Sequence, residues 1–354
     1  MERLHIAFFG PVNSGKSTLV NAICGQEVSL VSPQPGTTTD PVHKTVELPG
    51  LGPCVLIDTA GLGDGSVLGA ERERRTRAIL DEADIVVLVG DMELTTDIPV
   101  VHYRRGESIE SLLERLRQAA PQEEARFLTG DLVKKGDCVL LVMPQDSEAP
   151  KGRLILPQVQ VLRELLDRGC NALCCTPESL PAALERLTPD LVITDSQVFA
   201  LVNKAIPQSI PLTSFSILLA GAKGDLNLYI EGAKAIDSLK AGDRVLIAEA
   251  CTHVPDTEDI GRVKIPALLR HCLSERSEES IIIDIAAGND FPEDLSPYSL
   301  IIHCGACVAT RTLVQHRIKK ALRAGVPITN YGIALAKLQG ILERVSPRTR
   351  PQSS

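Results

Sequence analysis

The sequence predicts an α/β protein with one larger domain followed by two smaller parallel α/β domains. Short apolar runs alternate with segments of helical spacing along the chain, as strands and helices do in βαβ units. A Gly-rich loop, GPVNSGKS at 10–17, separates the first predicted strand from the first predicted helix. The alternation begins again near residue 125 and near residue 216, so we predict domains at 1–120, 125–215 and 216–354.

The composition is that of a folded protein with an acidic balance. Hydrophobic residues make up 44% of the 354 residues, enough for packed cores, which excludes a disordered chain. The formal net charge of −8 argues against a large nucleic-acid surface. We predict no membrane span and no signal peptide, because no long apolar run is present and MERLH leads directly into a strand. We therefore expect a cytoplasmic protein whose ten cysteines are reduced, some of them bound to a metal.

In the first domain, strands are predicted where apolar residues cluster between turn signals, and helices where they recur every three or four positions. The predicted strands are HIAFF (5–9), KTVEL (44–48), CVLID (54–58) and DIVVLVG (84–90). The predicted helices are KSTLVNAIC (16–24) and SIESLLERLRQAA (108–120). The turn PGLGP joins the second and third strands, which predicts that these two strands pair.

The second and third domains continue the alternation with shorter elements. The second has predicted strands at 138–144, 171–175 and 190–195, with helices at 156–169 and 177–187. The third has predicted strands at 243–250, 280–286 and 298–303, with helices at 310–325 and from about 333. This order predicts two parallel sheets.

Each position of GPVNSGKS has a mechanical role in holding a phosphate. Gly10 and Gly15 let the backbone wrap closely around an anion, and the helix that begins at Lys16 presents its N-terminus to it. Lys16 can reach the β- and γ-phosphates of a nucleotide, and Ser17 can offer its hydroxyl to Mg²⁺. Because the loop follows a strand and opens a helix, we predict a nucleotide site. Ser14 of the loop and Thr18, in the first turn of the predicted helix, are also assigned to that site.

Two further segments support the nucleotide site. DTAG at 58–61 ends a predicted strand, so that Asp58 can hold Mg²⁺ through water and the Gly61 amide can meet a γ-phosphate. PGTTTD at 35–40 is a polar loop between the first helix and the next strand, and one of its threonines could reach Mg²⁺ when a triphosphate is bound. By itself this loop could equally be a turn.

GPVNSGKS, GTTTD and DTAG, in this order and at this spacing, resemble the TrmE-Era-Der class of GTPases. The resemblance implies that Thr38 is a Mg²⁺ ligand together with Ser17 and Asp58. It also implies that Asn13 helps to hold an activating potassium ion. Leu62 follows DTAG, and an apolar side chain cannot orient water, so we expect slow hydrolysis that needs another device such as that ion.

One part of the GTPase pattern is missing. A GTPase of this class carries Asn-Lys-x-Asp one strand after DIVVLVGD, to recognise guanine, but here only MELTTD separates that strand from IPVVHYRRGESIESLLERL. The latter segment resembles the last strand and helix of the class, so a helix and the guanine-recognising strand are predicted to be absent. VNKAI at 202–206 lies outside the domain and lacks the aspartate. Guanine specificity therefore rests on resemblance alone.

A cysteine–histidine constellation lies in the third domain. Cys251-x-His253 is followed, 49 residues later, by His303-Cys304-x-x-Cys307. Both halves come at predicted carboxyl ends of strands, the edge where α/β sheets build sites. Thiolates with imidazole suit zinc or an iron–sulfur cluster, and the residues alone leave both open. The six cysteines interpreted as structural are Cys24, Cys54, Cys138, Cys174, Cys175 and Cys272.

The order of these features resembles the HydF family of FeFe-hydrogenase maturation GTPases. Supporting phrases include LTSFSILLAGAKGD, EGAKAIDSLKAGDRVLIAEACTH and HCGAC. The resemblance implies a 4Fe–4S cluster on Cys251, Cys304 and Cys307, with an exchangeable fourth iron site for which His303 and His253 both stay open. It implies a homodimer through the second domain, and a scaffold that receives a di-iron subcluster from radical-SAM enzymes and delivers it to the hydrogenase.

Two other functions compete with this interpretation. The first is a regulatory P-loop GTPase with a structural zinc module, in which the metal would be fully ligated. The second is a scaffold that does not hydrolyse nucleotide because its nucleotide domain is degenerate, an alternative that the missing guanine segment favours. The expected cofactors under the leading interpretation are GTP, Mg²⁺, a 4Fe–4S cluster and K⁺. No nucleic-acid or membrane partner is expected.

Overall fold

The computed structural model describes residues 3–25, 42–59, 79–121, 127–145, 154–250, 259–274, 281–288 and 290–346. They form two compact units. The first comprises residues 1–124 with 310–316, and the second comprises residues 125–309 with 317–354. The predicted α/β class is confirmed, because each of the three sheets is wholly or mostly parallel.

The first unit contains a five-stranded sheet. Its strands are β1 (Leu4–Phe9), β2 (Val42–Leu48), β3 (Gly52–Asp58), β4 (Ile85–Val89) and β5 (Val100–Tyr103). Its helices are α1 (Lys16–Cys24) and α2 (Ile109–Ala119), with a further helical turn at 79–82. The strand order is β2-β3-β1-β4-β5, and only β2 runs antiparallel, to β3. The predicted β2–β3 pairing is thus confirmed, and β1 lies at the centre, where its residues are fully buried from Ile6 to Phe9.

The second unit contains two four-stranded parallel sheets. The strands of the first are β6 (Cys138–Val142), β7 (Asn171–Cys175), β8 (Leu191–Thr194) and β9 (Leu212–Ser214), in the order β7-β6-β8-β9. The strands of the second are β10 (Arg244–Ala248), β11 (Ile282–Ala286), β12 (Leu300–His303) and β13 (Ile328–Asn330), in the order β11-β10-β12-β13. In each sheet the strand that comes first in the chain lies in the interior of the sheet, as expected for βαβ crossovers on both sides.

The helices of the second unit connect these strands. They are α3 (Leu156–Asp167), α4 (Leu180–Arg186), α5 (Phe199–Ala205), α6 (Phe215–Lys223), α7 (Leu226–Ala233), α8 (Ile265–Ser274), α9 (Arg311–Arg323), α10 (Tyr331–Leu338) and α11 (Leu342–Val345). Residues 311–316 of α9 are assigned to the first unit. Short 3-10 segments lie at Gly130–Leu132, Ser196–Val198 and Lys234–Ser238, and a π-helical turn at Ile260–Lys264 precedes α8. Among the described residues, no helix is long and apolar enough to span a membrane.

The helix α6 belongs to the core of the sheet that precedes it. Its residues Phe215 and Leu218 pack with Val139, Leu141 and Ile193 of that sheet. The core of this sheet thus extends to Leu218, and the predicted domain boundaries stay predictions.

One predicted helix begins later than the sequence pattern indicates. The segment predicted as a helix from 177 is helical from Leu180, because the residues before it form a turn. The Ser179 hydroxyl accepts a hydrogen bond of 3.0 Å from the Thr176 amide and so fixes that turn. Serine hydroxyls that bond to nearby backbone compete with helix formation in this way.

Candidate functional site

The glycine loop between β1 and α1 has the conformation that its glycines predict. A Cβ atom at Gly10 would lie 2.4 Å from the Val89 carbonyl oxygen and 2.8 Å from Ser14 Oγ, so no other residue fits there. Gly15 has φ of 94° and Asn13 has φ of 63°, both in the left-handed region. Glycine adopts that region without strain, and asparagine is among the few other residues that tolerate it.

Lys16, the first residue of α1, is folded back onto the loop. Its Nζ donates hydrogen bonds of 3.1 Å to the Gly10 carbonyl and 2.9 Å to the Pro11 carbonyl, and the residue is only 6% exposed. Burial lowers the pKa of Lys16, and the nearby Asp58 carboxylate opposes that shift. A phosphate in the loop would give this ammonium a charged partner in place of two neutral carbonyls.

Asp58, at the carboxyl end of β3, is a buried carboxylate with unmet hydrogen-bonding capacity. It is 1% exposed, and neither of its oxygens has a hydrogen-bond partner of normal geometry among the described residues. Burial raises its pKa, while the Ser17 hydroxyl and the charges of Lys16 and Lys44 lower it in part. A buried unpaired carboxylate beside a serine hydroxyl is a fitting donor set for a hard divalent cation. Ser17 and Asp58 therefore fit the Mg²⁺ ligation that the sequence predicts.

Lys44 is a functional candidate that the sequence analysis missed. It is 8% exposed on β2, and its Nζ donates to Asn21 Oδ1 of α1 at 2.5 Å. Its charge also acts on Asp58. The alternation of side chains along β2 could have identified Lys44, because it lies on the same face of the strand as Val46 and Leu48, which contribute to the core. A lysine on an apolar strand face indicates a buried partner.

The structure describes some of the other residues predicted for the nucleotide site, but not all of them. Asn13 and Thr18 are exposed and Ser14 is partly buried, all at the loop or the first turn of α1. Thr38, Gly61 and Leu62 lie outside the described residues, so their assignments stay predictions.

The strand β5 occupies the sheet position next to β4. Val86 pairs with Val100 and Val89 with Tyr103, and residues 90–99 between the strands contain neither helix nor strand. The two residues that follow β5, Arg104 and Arg105, are exposed. This placement agrees with the missing helix and strand in the sequence.

The nearest carboxylate after β5 already has partners. Glu107 accepts hydrogen bonds from the Arg104 amide and the Ser111 hydroxyl, at 3.3 and 3.1 Å, and pairs with Arg115. These partners hold its pKa below the usual range against a raising effect of burial. A carboxylate bound in this way has little capacity left to accept hydrogen bonds from a base. Asn203 and Lys204 of VNKAI lie in α5, in the second unit.

A second candidate site lies at the carboxyl ends of β10 and β12. These neighbouring parallel strands align Ala248 with His303, so Cys304 and the segment that follows Ala248 leave the sheet at one edge. The Cys304 sulfur accepts main-chain N–H groups from Ala250, at 3.1 Å, and from Ala306, at 3.4 Å. Two N–H donors on one sulfur stabilise a thiolate, and hydrogen bonds to sulfur tune iron–sulfur clusters. This donor set fits a thiolate-bound metal.

The loop after β12 brings Cys304 and Cys307 to the same edge. Cys304 is partly buried and Cys307 is exposed, with Ala306 between them at a left-handed φ of 52°. Cys251 and His253 lie outside the described residues. Among those that are described, no group of three potential ligands is found, so ligation by the whole predicted set stays a prediction.

His303 already has a partner at each ring nitrogen. It is 1% exposed, with Nδ1 2.9 Å from the Cys304 carbonyl oxygen and Nε2 3.2 Å from Arg317 Nη1. Because a guanidinium only donates, Nε2 must accept, and Nδ1–H donates to the carbonyl. Burial and the charge of Arg317 lower the pKa of His303 to about 3, against a smaller raising effect of that carbonyl. Both ring nitrogens are thus engaged within the protein, and His303 would have to give up one of these hydrogen bonds in order to bind a metal.

Arg317 was also missed by the sequence analysis. It is 4% exposed on α9, and besides His303 it donates to the carbonyls of Glu249, at 3.2 Å, and Gly288, at 2.5 Å. Glu249 and Gly288 follow β10 and β11, and His303 is the last residue of β12, so one guanidinium joins the carboxyl ends of three strands. The sequence could have indicated its burial, because Arg317 lies on the same apolar helix face as Val314 and Ile318.

Comparison with known families matches the whole order of domains. Residues 5–130 match the family model described as 50S ribosome-binding GTPase. Residues 128–224 match the hydrogen maturase F dimerization domain, and residues 227–347 match the hydrogen maturase F tetramerization domain. The last two matches together cover more than half of the chain, and their descriptions indicate self-association.

Curated relatives match part of the chain. The tRNA modification GTPase MnmE of Xanthomonas oryzae is 44% identical over 89 residues, which are 25% of this chain and 20% of the relative. MnmE of a Methylobacterium species is 35% identical over 169 residues, covering 39% of this chain and 36% of the relative. The chain thus spans only about a fifth to a third of the length of these relatives.

Solved structures of Era are also similar to this chain. A structure of Aquifex aeolicus Era bound to GDP·AlF₄⁻ is 17% identical, with a TM-score of 0.24, and covers 81% of this chain and 94% of its own. A structure of Era with MgGDPNP and a segment of 16S ribosomal RNA is 16% identical, with a TM-score of 0.26, and covers 83% and 97%.

Proposed function

The chain belongs to the hydrogen maturase F family, and on that premise we propose that it is a GTP-binding scaffold and carrier in the assembly of the FeFe-hydrogenase active site. It holds a 4Fe–4S cluster and delivers a di-iron subcluster to the hydrogenase. One observation carries the cluster part of the proposal: the Cys304 sulfur receives two main-chain N–H groups at the carboxyl edge of parallel strands. A thiolate poised in this way is suited to iron.

In this proposal three thiolates, from Cys251, Cys304 and Cys307, hold the cluster. When bound, a four-iron cluster with three protein thiolates has one iron open to an outside ligand, which a scaffold needs in order to hold and release its cargo. The Ala250 and Ala306 amides donate to the Cys304 sulfur and would support it as a metal ligand. Because both nitrogens of His303 are engaged, the fourth position is left to His253 or to an exchangeable ligand from outside.

The nucleotide domain supplies a triphosphate site with weak selection for the base. With a triphosphate bound, Lys16 would exchange the loop carbonyls for the phosphates, and Ser17, Thr38 and Asp58 would hold Mg²⁺. Slow hydrolysis follows from Leu62, which cannot orient water, and K⁺ near Asn13 is its activating device. Glu107, the first carboxylate after β5, is engaged by Arg104, Ser111 and Arg115.

Self-association and partner enzymes complete the proposal. A homodimer forms through the second domain, which matches the dimerization model, and the match to a tetramerization domain supports a further level of assembly. The partners are the radical-SAM enzymes that make the di-iron subcluster and the hydrogenase that receives it. These partners rest on family membership.

Metal analysis of the full chain tests the cluster part directly. After anaerobic reconstitution we expect about four iron and four sulfide ions per chain, as a 4Fe–4S cluster requires. The variant Cys304→Ser should lose this cluster, whereas Cys272→Ser, a partly buried cysteine on α8, should keep it. Stoichiometric zinc without sulfide would support the regulatory GTPase with a zinc module instead.

A further inference from the structure

Lys223, the last residue of α6, reaches into the loop that bears Cys304 and Cys307. It is 5% exposed, and its Nζ donates to the carbonyl oxygens of Ala306 and Ala309, both at 2.8 Å. A third bond of 3.3 Å goes to the carbonyl oxygen of Cys307 itself. One ammonium group thus donates hydrogen bonds to three carbonyl oxygens within four consecutive loop residues.

The same helix also contacts the loop from its first turn. A Cβ atom on Gly305 would lie 3.6 Å from Ser216 Oγ, so this serine lies directly against the loop. Ser216 also hydrogen bonds to Asn330 at 3.3 Å, and Asn330 Nδ2 lies 3.5 Å from the Cys304 carbonyl oxygen. α6 therefore lies along the loop, with Ser216 and Lys223 at its two ends.

The core of α6 is that of the preceding sheet. Phe215 and Leu218 pack with residues of β6 and β8, in the segment that matches the dimerization domain. The loop with the two cysteines follows β12 of the next sheet. The cysteine loop of one domain is thus held by a helix of the other.

The contacts of Lys223 have two chemical consequences for a metal in this loop. Buried carbonyls need donors, and an ammonium that satisfies three of them fixes the path of the loop. That path turns the Ala306 amide towards the Cys304 sulfur. In addition, a cluster with three thiolates carries net negative charge, and a cation held close to it favours the more negative, reduced form.

We propose that Lys223 is a positioning residue for the metal cluster, which holds the Cys304–Cys307 loop in its binding conformation and supplies a positive charge from the preceding domain. This inference rests on the proposed function. It assigns part of the cluster site to the domain that mediates dimerisation, so that the packing of one domain sets the affinity and the reduction potential of the cluster in the other.

The test compares full-length Lys223→Met with the wild type and with Lys234→Met. Met matches the length of Lys without charge or donors, and Lys234 is an exposed lysine of the same unit that pairs with Glu231. Each protein is reconstituted anaerobically, and we measure iron and sulfide per chain, the rate of iron loss to a chelator, and the midpoint potential by electron-resonance titration. We expect Lys223→Met to lose iron at least tenfold faster than the wild type.

The potential separates positioning of the cluster from general stabilisation. We expect Lys223→Met to lower the ratio of reduced to oxidised cluster about tenfold at fixed potential, which is about 59 mV for a one-electron couple. Lys234→Met should behave as the wild type. Lys223→Gln keeps two N–H donors without the charge, so it should retain iron better than Lys223→Met but show the same lowered potential.

Three other outcomes would contradict either the proposed function or the role of Lys223. A wild type without iron and sulfide would overturn the proposed function itself. A normal wild type with a Lys223→Met variant of equal iron retention and equal potential would overturn only the role of Lys223. Loss of the native circular dichroism spectrum in both Lys223 variants before any iron is added would make Lys223 a residue of general stability and would also contradict the proposal.

Discussion

Arg317 Nη1 lies 3.2 Å from Nε2 of His303, in a site where both residues are almost fully buried. This bond assigns the neutral Nδ1–H tautomer to His303, because the guanidinium cannot accept a hydrogen bond. His303, which precedes Cys304, therefore stabilises the loop through the hydrogen bond from its Nδ1–H to the Cys304 carbonyl. Sequence spacing alone made it a candidate ligand, equal to His253.

We predict that His303→Gln keeps the cluster and lowers stability. The glutamine oxygen can still accept from Arg317, but the buried bond to the Cys304 carbonyl is lost or weakened. The apo chain should lose about 1 to 3 kcal/mol of unfolding free energy. Urea unfolding and iron content of the reconstituted chain check this, with His271→Gln on the exposed side of α8 as the control. Loss of iron, or a changed electron-resonance spectrum at full occupancy, would identify His303 as a ligand.

We predict that Asp58→Asn stabilises the nucleotide-free chain while it abolishes Mg²⁺-dependent binding. The buried carboxylate has unmet hydrogen-bonding capacity, and an uncharged amide is cheaper to bury by about 1 to 3 kcal/mol. Because folding raises the pKa of Asp58, its unfavourable effect is absent below the unfolded pKa near 4 and grows as pH rises through the folded pKa. The variant should therefore gain more stability at pH 7 than at pH 4.

Thermal unfolding at both pH values and calorimetric titration with nucleotide and Mg²⁺ measure these two effects. The exposed Asp97→Asn is the matched control and should change neither. An Asp58→Asn variant that is less stable than the wild type at pH 7 would mean that the carboxylate has a favourable partner. Unchanged Mg²⁺ dependence would remove Asp58 from the metal site.

We predict that GTP and ATP bind with similar dissociation constants. On the proposed function, Gly10–Ser17, Thr38 and Asp58 contact phosphate and Mg²⁺. The usual guanine-recognising carboxylate is missing from the sequence, and Glu107 is already engaged. Each lost charge-assisted hydrogen bond is worth about 1.5 to 3 kcal/mol, or roughly one to two orders of magnitude in affinity. Calorimetry with Mg²⁺ and K⁺ gives both constants, and Lys16→Ala should weaken both. A strong preference for GTP would reveal a base-recognising residue elsewhere.

We predict that the full chain is at least a homodimer and that the edge strand β7 contributes to its interface. β7 ends the sheet β7-β6-β8-β9, and Leu173 on it is 39% exposed. A charge on an edge strand blocks pairing, so Leu173→Lys should raise the dissociation constant at least tenfold, which is about 1.4 kcal/mol. Light scattering over a concentration series measures it. Leu201→Lys on α5, 48% exposed in the same domain, is the control. A monomeric wild type at high micromolar concentration would contradict the prediction.

Strong local signals made much of the fold predictable. The helix α1 was predicted with its exact bounds because a glycine loop and a Gly25 turn enclose it. The bounds of β7 were also predicted exactly, and the other elements predicted with both bounds differ from the observed ones by one to three residues. β9 was not predicted, because a strand of three residues is too short to show an alternation of apolar and polar side chains. Its place in the sheet depends on pairing with β8, which is a contact between segments distant in sequence.

The site was predictable where chemistry lies in short motifs and not where it depends on long-range contacts. Ser17 and Asp58 follow from GPVNSGKS and DTAG, and they do lie together. Lys223 and Arg317 each lie on an apolar helix face, which indicates a buried cation but not its partner. Their partners are main-chain carbonyls from other segments, and nothing in the local sequence specifies those. For the same reason His303 and His253 could not be distinguished.

The measurement that tests the central claim most directly is nucleotide titration of the anaerobically reconstituted chain, with the cluster followed by electron resonance in the same sample. The account predicts one oxygen-sensitive 4Fe–4S cluster and one bound Mg²⁺-nucleotide per chain, with Cys304→Ser losing the first and keeping the second, and Lys16→Ala the reverse. A chain that takes up zinc without sulfide, or one that carries the cluster but binds no nucleotide, would contradict it.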